Sequence, residues 1–503
     1  MSLVIGLDLG TTNCKAVALS ETGEVVASTA SAYPLLTPQS GWAEQQAGDV
    51  WKGALAALKN LSGQLPGGKV AGIALSGAMH SLLAVDAAGN PLAPAMTWAD
   101  QRAAPQAATL RLRSDSKAMY QRTGCPLVPI YYPAKLLWLE EERPQIAKQA
   151  RFFMGIKDWI YYQLTGKWLM DKGLASTSGL LDIHRLQWDP EALSLTAVSS
   201  ERLPGLVSSF DARAGTLSRQ AASLCGLPAG LEVVPGSSDG VLANIGVGAY
   251  AHGETVITVG TSGAIRRVVS NPLLDPQERT WCYVIGQDRW LAGGAINNGG
   301  LTLQWVRDYL YPDLPGETGY QQLLYDAAKI LPGAEGLLLL PYFTGERSPY
   351  WNPSVRATLS GLGLEHSRGH IARAALEGVA FCLADVWESL GQIGDAPDTT
   401  LRLTGGITQA PLWAQIVSDV LGVRLGIVET ADASAVGAAM LGHHALGSAS
   451  LETLTTQVSI RTVFNPNPGQ HAIYRDLHRS FQEMYQKVTS LNPHPESFGV
   501  NRS

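Results

Sequence analysis

The chain has 503 residues, of which 46% are hydrophobic and 16% charged, and its formal net charge at pH 7 is −6. A chain of this length exceeds what one hydrophobic core usually holds, so we expect two large domains, and the composition excludes a mainly disordered protein. The negative charge, without a basic block, argues against nucleic acid or an anionic membrane as the main partner.

The cysteines and the apolar stretches indicate where the protein works. Its five cysteines are scattered and free of C-x-x-C spacing, which argues against a disulfide framework or a zinc site. Neither a basic leader before the first apolar run nor an apolar stretch of membrane-spanning length is evident. We therefore expect a cytoplasmic protein.

The first predicted element is a β-hairpin in the sequence IGLDLGTTNCKAVAL, which begins at Ile5. Two apolar runs flank Gly10, Thr11 and Thr12, and a tight turn of this kind joins antiparallel strands. Its tip offers backbone N–H groups and two hydroxyls, and Asp8 adds a carboxylate beside them. A turn-stabilising role for this aspartate is the alternative.

Short apolar strands and amphipathic segments then alternate along the chain, as they do in α/β domains. The segments VAGIALSG and LEVVPGSSDG are predicted buried strands that run into Gly/Ser turns. A long helix is predicted from His370 to Leu390, and the polar tail from Pro493 is expected to fray.

A second hairpin repeats the layout of the first. The sequence TVITVGTSGAIRRVV, from Thr255, places Gly260, Thr261 and Ser262 between two apolar runs, about half a chain length after the first tip. Two copies of one hairpin predict two similarly built domains that face each other across a cleft. The alternative is that any two Gly-Thr hairpins look alike.

A third glycine-rich turn, in LRLTGGITQAPLWAQIVSDVLG, follows a predicted strand and opens a helix. Backbone can approach a ligand closely where side chains are absent, so Gly405 and Gly406 suit a nucleotide contact. Turns of this kind also serve only as connections. No G-x-x-x-x-G-K-[ST] segment is present, which argues against a P-loop enzyme.

These segments, together with GERSPYWNP, resemble in type and order the motifs of the FGGY family of carbohydrate kinases. The resemblance extends over nearly the whole chain. It implies an α/β protein with two actin-like (ribonuclease H-like) domains that face each other across a catalytic cleft. The implied domains are a sugar-binding one at 1–245 and a nucleotide-binding one at 246–503.

The resemblance also implies ATP and Mg²⁺ as cofactors. Phosphoryl transfer mainly needs positioning and charge neutralisation, and both hairpin tips would hold the phosphates. Asp8 occupies the family's position for a carboxylate that holds Mg²⁺ through water. The positions implied for the nucleotide are Thr11, Thr12, Gly260, Thr261, Gly300, Gln304, Gly405 and Gly406. After the last of these, Ile407 to Ala410 replace the Arg-Ser or Asn-bearing turn of many relatives, which puts the purine contact in question.

Asp239, in PGSSDGVLAN, matches the family aspartate that takes the proton from the sugar hydroxyl. By local sequence alone, a plain helix N-cap is an equal alternative, and both roles can coexist. The segment LSGAMHSLL carries Met79 and His80 where xylulose and gluconate kinases have Met-His. A structural role for the histidine is the alternative.

The segment TWADQRA offers an apolar wall and polar groups suited to a sugar. A core tryptophan and a surface ion pair are the alternatives for its residues. The complete expected sugar set is Met79, His80, Trp98, Asp100, Arg102, Asp239, Gly240 and Arg266.

Several of these runs look most like the gluconate kinase branch, which implies phosphorylation of D-gluconate to 6-phosphogluconate. An acid substrate needs a cation, for which Arg266, Arg102 and Lys157 are candidates. Xylulose kinase is the alternative within the family. The alternative from another class is a non-catalytic sensor of ATP or sugar, which the presence of Asp8 and Asp239 disfavours. A homodimer is compatible with the family.

Overall fold

The structure, a computed structural model, describes residues 2–65, 69–113, 115–286, 288–314, 316–393 and 400–491. The predicted polar tail from Pro493 lies outside these residues. The chain divides into two compact units, each built from three segments. The first unit comprises Met1–His252, Val268–Ala292 and Thr430–Ser459, and the second comprises Gly253–Arg267, Gly293–Glu429 and Ile460–Ser503. The proposed domain boundary at residue 246 remains a prediction.

Strands and helices alternate along the described residues. The strands up to residue 252 are β1 (Ser2–Leu9), β2 (Asn13–Ser20), β3 (Val25–Ala32), β4 (Glu44–Gln45), β5 (Lys69–Gly77), β6 (Leu83–Val85), β7 (Ala95–Met96), β8 (Phe152–Met154), β9 (Leu169–Asp171), β10 (Leu181–Asp182), β11 (Gln187–Trp188), β12 (Gly205–Val207) and β13 (Glu232–Ser238). The later strands are β14 (Thr255–Val259), β15 (Gly263–Val269), β16 (Trp281–Val284), β17 (Trp290–Ile296), β18 (Leu338–Leu340), β19 (Thr358–Ser360), β20 (Leu401–Thr404), β21 (Leu425–Ile427) and β22 (Thr462–Phe464).

The α-helices cover most of the remaining regular structure. Those up to residue 252 are α1 (Ala47–Ser62), α2 (Ala104–Arg113), α3 (Ser116–Thr123), α4 (Tyr132–Glu142), α5 (Pro144–Gln149), α6 (Ile156–Thr165), α7 (Lys172–Ser176), α8 (Pro190–Ser194), α9 (Arg219–Cys225) and α10 (Asp239–Gly246). The later helices are α11 (Gly300–Leu310), α12 (Glu317–Ala328), α13 (Arg368–Gly391), α14 (Pro411–Leu421), α15 (Ala433–Ala445), α16 (Leu451–Thr456) and α17 (Pro468–Leu491). The predicted long helix from His370 to Leu390 is thus confirmed as α13.

The first unit is organised around a five-stranded sheet of order β13-β5-β1-β2-β3. Strands β1 and β2 form the predicted antiparallel hairpin, with Leu9 opposite Cys14 at its tip. Strands β1, β5 and β13 run parallel, so their carboxyl ends lie at one edge of the sheet. This edge carries the first candidate residues.

Glycines allow the helices behind this edge to pack closely. A Cβ atom on Gly437 of α15 would lie 1.9 Å from the carbonyl oxygen of Leu242 on α10, a distance that real Cβ atoms do not reach. Gly6 of β1 meets α15 in the same way, because its Cβ would lie 1.9 Å from the carbonyl oxygen of Ala435. Helix α15 is therefore held directly against both α10 and β1.

The second large sheet is mixed and has seven strands in the order β16-β17-β15-β14-β20-β21-β22. Strands β14 and β15 form the second predicted hairpin, with Val259 opposite Gly263 at its tip. Strand β20 runs parallel to β14, and Thr404 lies opposite Thr258. The second hairpin tip and the end of β20 consequently share one edge of this sheet.

Across the described residues, no helix has both the length and the apolar character needed to cross a membrane.

Candidate active site

Asp8 lies near the end of β1, next to the first hairpin tip. Its Oδ1 accepts a hydrogen bond of 2.6 Å from the hydroxyl of Ser76 on the neighbouring strand β5. Burial raises the pKa of Asp8, while the Ser76 bond and the charge of Lys15 lower it and the charge of Asp432 raises it. A turn-stabilising aspartate would bond to the hairpin turn itself, whereas the bond observed for Asp8 comes from Ser76 on β5. A partly desolvated carboxylate of this kind gains from a bound cation.

Lys15 and Asp432 form an ion pair beside Asp8. The lysine Nζ lies 2.5 Å from Oδ1 of Asp432, which has a left-handed backbone with φ of 57° just before α15. Carboxylate oxygens are the ligand type that Mg²⁺ prefers, and this ion usually keeps several of its waters. The oxygen-bearing side chains around Asp8 therefore fit a hydrated Mg²⁺ ion.

The first hairpin tip is braced from two sides. The hydroxyl of Tyr33 donates a 2.8 Å hydrogen bond to the carbonyl oxygen of Gly10, and Nε2 of Gln45 donates one of 2.8 Å to that of Thr11. Thr12 is exposed at the tip. Because the bracing groups bind carbonyl oxygens, they fix the turn without covering the Thr12 hydroxyl.

Asp239 lies at the same edge of the first sheet as Asp8. Ser76, the partner of Asp8, lies opposite Ser237 on β13, so Asp8 and Ser237 are two strand spacings apart, about 10 Å. Two residues later, half-buried Asp239 is the first residue of α10, and its Oδ1 accepts a 2.7 Å hydrogen bond from the N–H of Gly240. The N-cap itself is Ser238, so the N-cap alternative falls one residue earlier than expected.

His80 is buried and has an uncommon backbone conformation. Its φ is 65°, a left-handed value that non-glycine residues seldom adopt. Its Nδ1 lies 2.7 Å from the carbonyl oxygen of Thr177, and because a carbonyl only accepts, Nδ1 carries the proton. The ring packs edge-on against Tyr131, with centroids 5.0 Å apart. Met79, which precedes it, is half-buried.

Trp98 joins the expected sugar segment to the phosphate hairpin. Its Nε1 donates a 3.1 Å hydrogen bond to the hydroxyl of Thr11. Asp100 and Arg102 form an ion pair of 2.6 Å whose side chains are only 1% and 4% exposed, so the pair is buried where a surface pair was the alternative. The Arg102 guanidinium also lies 3.5 Å from the ring centre of Trp42. These contacts give Asp100 and Arg102 a clear part in holding this segment.

The two other candidate cations differ in accessibility. The Lys157 side chain is 1% exposed, and its Nζ lies 2.5 Å from Asp171. Arg266, on β15, is half-buried, and its Nη1 lies 3.1 Å from the hydroxyl of Thr258. Arg266 is therefore the more accessible of the two.

In the second unit, three of the expected nucleotide segments meet. The N–H of Gly300, at the start of α11, donates a 2.7 Å hydrogen bond to the carbonyl oxygen of Gly260. Gly405 has a φ of 92°, and its Cβ would lie 2.5 Å from the carbonyl oxygen of Val259. Gln304 is exposed one turn into α11. The backbones of three segments, the second hairpin, the turn at Gly405 and the start of α11, thus lie close together because glycines occupy the points of approach.

The motif that contains GERSPYW stabilises this region through Glu346, a residue that the sequence analysis did not single out. Oε1 of buried Glu346 accepts hydrogen bonds from the N–H groups of Asn297 at 2.6 Å and Arg347 at 2.7 Å. Burial raises the pKa of Glu346 to about 8. Asn297 lies three residues before Gly300, so this carboxyl group orders the approach to α11.

Lys135 is the second residue that sequence reasoning missed, and it lies buried in α4. A lysine inside the apolar run YYPAKLLWL is the signal that would have drawn attention to it.

Most of the chain matches a known protein family. The N-terminal domain of the FGGY family of carbohydrate kinases matches residues 3–246, and the C-terminal domain of that family matches residues 255–446. The chain is 37% identical over 452 residues to a gluconokinase of Bacillus subtilis (strain 168), covering 89% of this chain and 88% of that protein. A xylulose kinase of the same organism is 30% identical over 508 aligned positions and is matched along its whole length, as is this chain.

A solved structure resembles the fold along almost its entire length. The crystal structure of gluconate kinase from Lactobacillus acidophilus has a TM-score of 0.91 and 30% sequence identity, covering 97% of this chain and 98% of that one. The expected two-domain α/β fold is thereby confirmed. The chain belongs to the FGGY family of carbohydrate kinases and is an ATP:sugar phosphotransferase.

Proposed function

We propose that the protein transfers the γ-phosphoryl group of ATP to D-gluconate and forms 6-phosphogluconate. The observation that carries this choice of sugar is the 37% identity to a gluconokinase, against 30% to a xylulose kinase. The Met79-His80 pair is compatible with both gluconate and xylulose kinases, so it does not distinguish between these two sugars. We place the activity in the cytoplasm, where ATP is supplied.

In this proposal Asp239 is the general base. The positive end of the α10 dipole and the Gly240 N–H favour its charged carboxylate, which accepts the proton of the attacking hydroxyl. The sugar contacts are Met79, His80, Trp98 and Gly240, with Asp100 and Arg102 holding the Trp98 segment. We choose Arg266 as the cation that binds the carboxylate of the sugar acid, because Arg266 is half-buried whereas Arg102 and Lys157 are almost fully buried.

The phosphate groups are assigned to backbone and hydroxyl donors at the tips of the two hairpins. Thr11 and Thr12 contribute from the first unit. Gly260 and Thr261 contribute from the second, and the remaining nucleotide contacts are assigned to Gly300, Gln304, Gly405 and Gly406. Asp8 would hold Mg²⁺ through the waters of the ion, which would supply charge neutralisation at the phosphates. The loose transition state of phosphoryl transfer asks for this positioning more than for covalent chemistry.

Xylulose kinase is the second candidate, because a xylulose kinase matches the chain along its whole length. The product distinguishes the two. Phosphorus NMR of a reaction with gluconate, ATP and Mg²⁺ should reveal one phosphomonoester, coupled to the two protons of a primary carbon. Absence of that product, together with phosphorylation of xylulose under the same conditions, would replace gluconate with xylulose and leave the assignment of base and metal ligand in place.

A further inference from the structure

A buried ammonium group links the two segments that carry the proposed sugar contacts. Lys135, on α4, is 0% exposed. Its Nζ donates one hydrogen bond of 2.6 Å to the carbonyl oxygen of His80 and one of 2.8 Å to that of Thr97, the residue before Trp98. One side chain therefore fixes the positions of both the Met79-His80 turn and the Trp98 segment.

This arrangement is costly for folding. A buried ammonium loses its hydration. Burial lowers the pKa of Lys135 to about 7; the charge of Asp100 opposes this shift, and the charge of Arg102 adds to it. Both acceptors of Lys135 are backbone carbonyls, which return less electrostatic energy than a carboxylate partner would. An apolar side chain of similar length would avoid the loss of hydration. The cost points to a role beyond stability.

The backbone at His80 indicates what that role is. A non-glycine residue with φ near 65° is strained and persists only where its surroundings hold it in place. The Lys135 bond holds the carbonyl of this residue, and the Thr177 carbonyl holds its ring. Without the lysine, the His80 carbonyl can rotate, and the imidazole moves with it.

We propose that Lys135 is a positioning residue that fixes His80 and Trp98 relative to each other and thereby sets the affinity for the sugar. The proposal rests on the sugar site given under the proposed function. Lys135 is too deeply buried to touch a substrate itself. Its effect therefore reaches the sugar directly through the two carbonyls, whereas it reaches the nucleotide residues only indirectly, through the hydrogen bond from Trp98 to Thr11.

The test is steady-state kinetics of K135M, whose side chain has similar length but no donors. We expect KM for gluconate to rise about 10- to 100-fold, as misplacement of a positioned group by roughly 1 Å does, while KM for ATP stays within about twofold. The matched control is Y161F, which removes another buried side-chain bond to a backbone carbonyl, that of Val233. K135Q, whose neutral amide nitrogen keeps two N–H donors, should lie between K135M and the wild type.

Three results with the Lys135 variants would overturn the proposal. The first is a K135M variant as active at low gluconate as Y161F. The second is an equal rise of both KM values, which would indicate a purely structural role, and the third is failure of both Lys135 variants to fold. The variant H80A tests the sugar site independently of Lys135. A normal KM for gluconate in both H80A and K135M would show that His80 does not contact the sugar. A raised KM for gluconate in H80A but not in K135M would contradict only the role proposed for Lys135.

Discussion

The hydroxyl of Ser76 donates a 2.6 Å hydrogen bond to Oδ1 of Asp8 across two neighbouring parallel strands. Burial has the largest effect on the Asp8 pKa and raises it, and the Ser76 bond is the largest opposing influence. The serine therefore helps to keep the proposed metal-holding carboxylate charged near neutral pH. Its position on β5 also ties the hairpin to the strand that leads to Met79 and His80.

Replacing Ser76 by alanine should shift the acid limb of the activity profile to higher pH. The substitution removes an influence that lowers the Asp8 pKa, so the carboxylate becomes protonated at a higher pH than in the wild type. We expect kcat/KM to fall roughly tenfold at pH 6, which matches the loss of one hydrogen bond to a charged group, and to fall less at pH 8. S194A, which removes an exposed hydroxyl, is the control. An acid limb in S76A that coincides with that of the wild type would contradict the assignment.

Replacing Asp239 by alanine or asparagine should reduce kcat by about 10² to 10⁴-fold, because the reaction loses its proposed general base. Binding of ATP, measured by calorimetry, should remain close to the wild-type value. D115A is a matched control: Asp115 caps α3 and its loss should cost about 1 kcal/mol of stability without an effect on turnover. Substantial turnover in D239N would show that another group takes the proton.

Gly405 and Gly406 are neighbours, but they should respond differently to alanine. G405A places a Cβ 2.5 Å from the carbonyl oxygen of Val259 and forces alanine to adopt a φ of 92°. We expect a cost of about 1–3 kcal/mol in stability and a raised KM for ATP, since the turn must move. At Gly406 the added Cβ lies 3.9 Å from that oxygen, an ordinary contact, so G406A should retain the wild-type melting temperature. Equal melting temperatures for the two variants would argue against this geometry.

Replacing Glu346 by glutamine should change how stability depends on pH. Burial raises the pKa of Glu346 from 4.5 to about 8, so between these values the folded protein holds a proton that the unfolded chain releases. The stability contributed by this proton is fully present below pH 4.5 and is lost as pH rises through about 8. Glutamine does not titrate. The melting temperature of the wild type should therefore fall relative to that of E346Q by a few degrees between pH 5 and pH 8.

The difference between the two proteins isolates this one group. Lys135 and Asp158 also have strongly shifted pKa values, but both are present in the wild type and in E346Q. Their contributions cancel when the two melting curves are subtracted. A constant difference in melting temperature from pH 5 to pH 8 would show that Glu346 does not titrate in this range.

The hairpins and the long helix could be predicted because their signals are local. Gly10, Thr11 and Thr12 between apolar runs specify a tight antiparallel turn, and the same holds around Gly260. The long run that became α13 contains few residues that break helices. The order of the motifs then supplied the fold, because the family has one arrangement of these elements.

The supports of the site could not be predicted, since they join residues that are far apart in sequence. Ser76 reaches Asp8, Tyr33 reaches Gly10, and Lys135 reaches His80 only once the sheet has formed. A serine or a tyrosine carries no local mark of such a partner. Composition also gave no sign that Arg102 would be buried against Asp100 and a tryptophan ring, because an Asp-x-Arg pair is most often solvated.

The most direct test of the proposed function is an assay of ADP release with gluconate, xylulose, ribulose, glycerol and no sugar, in the presence of ATP and Mg²⁺. We expect kcat/KM for gluconate to exceed that for each other substrate by at least tenfold. Preferential turnover of xylulose would contradict the choice of sugar and leave the family, the base and the metal ligand standing. ATP binding without turnover of any of these substrates would contradict the assigned sugar site.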